Sequence, residues 1–231
     1  MAIPIYLAMT GAEFHGSRSL PSHTAWLSCL FSPYSTGITN LPRQLPVGSL
    51  LVLSDRIPIC GHDSKLIKEQ LRDTLQRLHC RGLLLDLQQA DSDENLALAK
   101  ELLALPFPVA VSEPYAAELD CPVFLSPQPL DISLGEQLAP WNGREIWLDL
   151  TPQNLILTVT EQGCCREILP GNTAQLFPFY DCVLHCHYSI TCEDDSAKFH
   201  LFRGKDDFAD LLADAESMGA TMAVGLYQEL G

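Results

Sequence analysis

The chain has 231 residues, 29 of them acidic and 14 basic, for a formal net charge of −15. Its 47% apolar content supplies a full core and excludes a disordered chain. The negative charge argues against nucleic-acid phosphates or an anionic membrane surface as the main partner, because both would repel it.

The N-terminal stretch, residues 1–10, is apolar but has no basic leader, and it contains Pro4. It reads as a first strand, Ile3–Met9, rather than a signal peptide, and the protein as cytoplasmic. No run approaches the roughly 20 apolar residues of a bilayer span. Gly11–Ser22 is polar and reads as a connection too short for a long helix. A second strand follows at Thr24–Leu30, then a Pro- and Gly-rich loop, then a third strand at Ser49–Ser54. Ser64–Cys80 reads as a helix, with apolar residues at a 3.6-residue period, Asp63 placed to cap it and Gly82 after its end. Leu83–Leu87 is a buried strand interrupted only by Asp86. Asp91-Ser-Asp-Glu94 reads as a capping box for a helix over Asn95–Leu105, stopped by Pro106. Strands at Phe107–Ser112 and Pro122–Leu125 flank a helical turn at Pro114–Leu119.

Beyond Pro129 the texture changes. Ile146–Leu150 reads as another inner strand. Leu155–Thr160 with Cys165–Leu169, and Cys182–Ile190 with Lys198–Arg203, read as two hairpins. The second hairpin encloses an acidic turn, Glu193-Asp194-Asp195. Asp206–Met218 is an amphipathic helix with Phe208, Leu211, Leu212, Ala215 and Met218 inward, ended by Gly219. Met222–Tyr227 is the last strand.

Eight inner strands predict a small α/β fold, a (β/α)8 barrel. It forms one domain over 1–231, with residues 151–203 as a β-rich insertion between strands seven and eight. An open doubly wound sheet is the alternative, but no Gly-rich phosphate loop follows any strand. Function in a barrel sits at the C-terminal strand ends. Those ends carry Tyr34, Asp55, Arg56, Asp86, Gln88, Glu113, Tyr115, Asp149, Gln228 and Glu229, a polar ring of the kind that lines a carbohydrate pocket. Asp86 stands out, because a carboxylate between Leu85 and Leu87 needs hydrogen bonds or a cation. Arg56 is the natural candidate.

Arg81-Gly82-Leu83-Leu84-Leu85-Asp86-Leu87-Gln88 resembles the fourth-strand motif DG-x-D-x-D-x-E of the family 18 glycoside hydrolases, the chitinase-like barrels. The second half of the chain is also similar to the family's spore-lysin-like members. It has a β-rich insertion, a hairpin with Tyr188, a short acidic stretch, the helix Phe208–Met218, Gly219 and a final strand. The resemblance implies that Gln88 stands where the family places its acid, the Glu that protonates the glycosidic oxygen. Asp86 then stands at the Asp that orients the substrate acetamide. Arg81 and Leu84 replace the motif's first and middle Asp. Glutamine has no proton to give. The resemblance therefore implies a sugar-binding barrel without the standard acid, with a spore association also implied, and adds Tyr188 to the binding ring.

Nine cysteines without any CxxC pair read as buried hydrophobes or free thiols. If Asp181–Tyr188 were all strand, Cys182, Cys186 and Tyr188 would face one way and His185 and His187 the other. A His-x-His pair binds zinc or iron only with further ligands, and the sequence indicates no metal and no cofactor. Trp26 and Trp147 read as core residues. Two function classes remain. One is a catalytically silent barrel that binds a glycan or a protein partner. The other is an active hydrolase of amino-sugar polymers that draws two carboxylates from Asp55, Asp86, Glu113, Asp149 and Glu229.

Overall fold

The apolar runs become parallel strands of one closed sheet in a computed structural model that describes residues 2–59, 61–89, 92–170, 177–193 and 195–231. Asp91 and Asp194, named above, and Cys60, one of the nine cysteines, lie outside those residues. The chain forms two units, one on Pro4–Ser126, Gly143–Asp149 and Ala220–Gly231, the other mainly on Pro127–Asn142 and Leu150–Gly219.

In chain order the elements are β1 (Ile5–Met9), α1 (Gly11–Gly16), β2 (Thr24–Phe31), β3 (Ile38–Thr39), β4 (Leu50–Ser54), α2 (Ser64–Arg77) and β5 (Gly82–Asp86). Next come α3 (Asp93–Leu102), β6 (Val109–Ser112), α4 (Glu113–Ala116), β7 (Val123–Leu125), α5 (Leu134–Leu138) and β8 (Ile146–Asp149). They are followed by β9 (Gln153–Thr160), β10 (Gly163–Ile168), β11 (Phe179–Asp181), β12 (Cys186–Glu193) and β13 (Ser196–Arg203). The chain closes with α6 (Phe208–Ser217), β14 (Ala220–Leu226) and α7 (Tyr227–Leu230).

Strands β1, β2, β4, β5, β6, β7, β8 and β14 pair in that order, all parallel, and β14 returns to β1 with Ile5 opposite Ala223. The sheet is a closed eight-stranded α/β barrel, as the strand count predicts. Alternation along the strands sends Tyr6, Ala8, Ala25, Leu50, Val52, Leu84, Ala110, Phe124, Trp147, Met222 and Val224 into one interior cluster. Such a packed interior leaves the strand ends as the place for a site.

Local chemistry explains the boundaries. The connection after β1 contains a helix that the sequence reading missed. Thr10 caps it and Glu13 reaches back to the Thr10 N–H at 2.7 Å, a complete capping box. Asp63 caps α2 as expected, accepting from Lys65 N and Leu66 N. The expected stop at Gly82 is corrected: α2 ends at Arg77, and His79 turns the chain with φ of 51°. Gly82 opens β5 instead, where a Cβ would meet the Pro108 carbonyl oxygen at 2.7 Å. Ser92 caps α3 through Asn95 N.

The second unit is a five-stranded antiparallel sheet in the order β10-β9-β13-β12-β11. Its cluster is Leu130, Leu155, Cys186 and Leu201. The β9–β10 and β12–β13 hairpins form as read. The strand expected from Cys182 starts only at Cys186, because Asp181 Oδ1 accepts from Val183 N and Leu184 N and folds 182–185 into a turn. The inferred alternation of Cys182 with Cys186 therefore does not exist. Arg203 is 1% exposed and donates to the carbonyls of His185, Gln128 and Leu184. Helix α6 buries Phe208, Leu211 and Ala215, while Met218, past its last turn, is 47% exposed rather than inward.

Trp26 and Trp147 are buried. Eight of the cysteines are free; Cys29, Cys80, Cys121 and Cys186 are buried, and Cys164, Cys165, Cys182 and Cys192 are exposed. Among the described residues no helix is long and apolar enough to cross a membrane.

Candidate functional site

Strand β5 sets the site. Leu84 lies in the interior cluster, so two-residue alternation carries Asp86, the last residue of β5, to the same inner side. Gln88 Nε2 donates to Asp86 Oδ1 at 2.5 Å. Burial pushes the Asp86 carboxyl above the ordinary range. The Gln88 hydrogen bond opposes this, the nearby Asp55 carboxylate adds to it, and Arg56 opposes it most weakly. The expected Arg56 partnership is thus replaced by a neutral amide. Arg56 is exposed and acts on Asp86 only through its field.

The chain after β5 is held from behind. Asp55 is 2% exposed. One of its oxygens accepts from Gln88 N at 2.9 Å, and the other from Gln89 N at 2.9 Å and Asn95 Nδ2 at 2.8 Å. Gln89 Nε2 returns a bond to the Asp55 carbonyl at 2.7 Å. The Tyr115 hydroxyl donates to the Gln89 carbonyl and accepts from Asn95 Nδ2 at 3.2 Å. Ser112 Oγ donates to the Leu87 carbonyl at 2.7 Å and accepts from Leu87 N at 3.0 Å. This moves Asp55 and Tyr115 out of the ligand-lining ring: their polar atoms are occupied by protein donors and acceptors, and they act as a buttress under Gln88. Asn95 and Ser112 complete it, and the sequence reading assigned neither a role. Their only mark was a polar residue where a helix face and a strand should be apolar.

The other ring residues scatter. Tyr34 is 96% exposed and encloses nothing. Glu113 is half-buried at the start of α4, Asp149 half-buried at the end of β8, and Gln228 exposed on α7. Glu229, also on α7, has a buried Oε2 with no hydrogen-bond partner, and burial pushes its carboxyl up. Tyr188 belongs to the second unit, where its ring sits 5.3 Å from that of Phe179. The two histidines considered as a metal pair take separate aspartates: His185 Nε2 reaches Asp214 and His187 Nε2 reaches Asp207, each at 3.2 Å. Among the described residues no three His, Cys, Asp or Glu side chains group as a metal site.

The barrel unit also carries an open groove of about 680 Å³, whose lining includes His15, Trp26, Ser28, Leu41, Pro42 and Arg43. Trp26 Nε1 donates to the Asn40 carbonyl, and Arg77 holds the Pro42 and Arg43 carbonyls, which fixes this wall.

No protein-family model and no curated protein matches the sequence. Solved structures do match the fold. The spore cortex-lytic enzyme SleL of Bacillus cereus superposes with a TM-score of 0.59 at 9% identity, covering 99% of this chain and 71% of that one. A class V chitinase from Nicotiana tobaccum in complex with NAG4 gives 0.59 at 9% identity, over 100% and 95% of the two chains. A chitinase from Chromobacterium violaceum gives 0.56 at 12% identity, over 97% and 93%. At these identities the likeness is one of fold: a closed eight-stranded α/β barrel.

Proposed function

We propose that the chain is a carbohydrate-binding barrel of the chitinase type that recognises amino-sugar oligomers and does not hydrolyse them. The observation that carries this reading is the Asp86–Gln88 pair. An amide, which cannot act as a general acid, follows β5 by two residues and is hydrogen-bonded through its side chain to Asp86. The buttress of Asp55, Asn95, Ser112 and Tyr115 supports the same reading, because it holds Gln88 in place rather than leaving a decayed loop. The similar fold of a tobacco chitinase solved with NAG4 supports the ligand class.

The test is a titration with a GlcNAc tetramer alongside a hydrolysis assay. Saturable binding without turnover is expected, with binding weakened about tenfold by Asp86→Ala. A general acid contributes about 10²–10⁴-fold, so Gln88→Glu should bring hydrolysis above background. The absence of the motif's middle Asp at Leu84 keeps it far below an intact enzyme. Turnover by the unmodified protein that a mouth substitution abolishes would overturn the proposal.

One observation favours the second reading, an active hydrolase with another carboxylate. Glu229 has an unpartnered, buried oxygen and a carboxyl shifted toward the protonated form, which suits an acid. Asp55 drops out of that set because three donors hold it. Under this reading Glu229→Gln abolishes turnover.

A further inference from the structure

The register of the five-stranded sheet in the second unit gives it two unlike faces. One row across the strands runs Ile168, Leu155, Leu201, Tyr188, Phe179. Two residues further along, on the same side, come Arg166, Leu157, Phe199 and Ile190, and then Cys164, Val159, Ala197 and Cys192. The row between these last two, Cys165, Thr158, Lys198 and Thr191, points the other way. This is the alternation of a sheet with one face of core type and one facing water.

Only part of the apolar face is covered. Leu155 and Leu201 are buried and pack with Leu130 and Cys186. Beyond them, Val159 is 42% exposed, Ile190 45%, Phe179 51% and Ile168 82%, and Leu157 and Phe199 are half-buried. Single exposed apolar residues are ordinary, whereas a contiguous patch marks an interaction site. At its β10 end the patch meets a cavity of about 370 Å³ whose walls include Pro129, Leu130, Pro152, Leu155 and Ile168. In the three apolar rows Arg166 is the only charged side chain, and Asp131 pairs with it. The charge gathers at one end instead. The β9–β10 and β12–β13 turns are neighbours, because Thr160 pairs with both Gly163 and Ser196. They carry Glu161, Glu193 and Asp195, all exposed. Lys198 pairs with Glu193, which leaves this rim net negative.

We propose that this face binds a cationic amphipathic helix of a partner protein. The apolar stripe of such a helix covers the exposed rows, and one large side chain enters the cavity as an anchor. Its basic flank meets Glu161 and Asp195, on a chain whose net charge of −15 already attracts cations. A row of four strands spans about 14 Å at the ordinary strand spacing, the length of about ten residues of helix. A second copy of this chain fits less well, because each copy brings the same large negative charge to the contact. The proposal does not rest on the reading of the barrel mouth.

The probe is a synthetic helix of about 14 residues, with Leu along one face and Lys on the other. It is titrated into the full-length protein under reducing conditions and followed by two-dimensional NMR. Saturable shifts of the amides of 155–159, 164–168, 188–192 and 197–201 are expected. A peptide of the same composition in scrambled order should bind about tenfold more weakly or not at all. Val159 and Ile190 are exposed, so the double variant Val159→Lys/Ile190→Lys keeps the fold and should weaken binding about tenfold or more. Glu161→Gln/Asp195→Asn should weaken it about threefold and flatten its salt dependence. Glu118→Gln, an exposed carboxylate of the barrel unit, should leave it unchanged. Equal binding of the scrambled peptide, equal binding of a helix with Glu in place of Lys, or an unchanged Val159→Lys/Ile190→Lys variant would overturn the proposal. So would dimerisation in sedimentation that this variant abolishes, which would assign the face to a second copy of the chain.

Discussion

Two aspartates at the ends of adjacent strands show how differently a carboxylate can be used. Asp86 is half-buried, and that burial holds its folded pKa above the ordinary value although the hydrogen bond from the Gln88 amide opposes the rise. Through the window between those two values the native state holds more protons than the unfolded one, and stability falls as pH rises. Asp86→Asn keeps an acceptor for Gln88 and removes the charge. It should therefore raise the melting temperature at pH 7 and lose that advantage below pH 3, where Asp86 is itself neutral. A lower melting temperature for the variant at pH 7 would show that the charge is stabilised after all. Asp55 is the opposite case. Asp55→Ala strands three donors at once and should cost about 3 kcal/mol in chemical denaturation, whereas Asp55→Asn should cost less than half of that. The inward side of Asp86 could not be read from an apolar strand buried on both faces and rested on the resemblance; in the structure it follows from Leu84, two residues earlier, in the interior cluster. The role of Asp55 was not legible either, because its partners come from the chain after β5 and from α3, and no spacing in the sequence brings them together.

At the level of elements, the strands were legible because each is a short apolar run bounded by turn residues, and closure of the barrel follows from their number. The helices were less so. The Thr10-x-x-Glu13 capping box was present in the sequence, but six residues is too short for a periodic signal. The end of α2 was misplaced because His79 takes the left-handed conformation that a glycine was expected to supply. Gly82 has a packing reason instead, and Gly82→Ala tests it. The added methyl would stand 2.7 Å from the Pro108 carbonyl oxygen, so β5 and the chain entering β6 must separate. The cost should be about 1–3 kcal/mol, the range of overpacking. A neutral result would mean that the two segments slide apart freely.

For the molecule as a whole, β14 is the closing strand. It pairs with both β1 and β8 and contributes Met222 and Val224 to the interior cluster. Truncation after Gly219 leaves two bare strand edges and an opened interior. The expected outcome is loss of the cooperative thermal transition, read by circular dichroism, with aggregation rather than a smaller stable barrel. A truncated protein that still melts sharply would mean that the remaining strands reclose without it.

The buttress under Gln88 has a thermodynamic consequence of its own. Leu87, Gln88 and Gln89 are each tied through the main chain to Ser112, Asp55 or Tyr115 before any ligand arrives. A ligand at the end of β5 meets a surface already in its bound shape, so little conformational freedom is lost on association. Recognition there should proceed in one kinetic step, with an observed rate that rises linearly with ligand concentration and shows no plateau from a slow rearrangement. Under the proposed reading the same stiffness would set the selectivity: a sugar whose substituents do not match the Gln88 amide would be refused by shape, since the main chain behind it is already tied down.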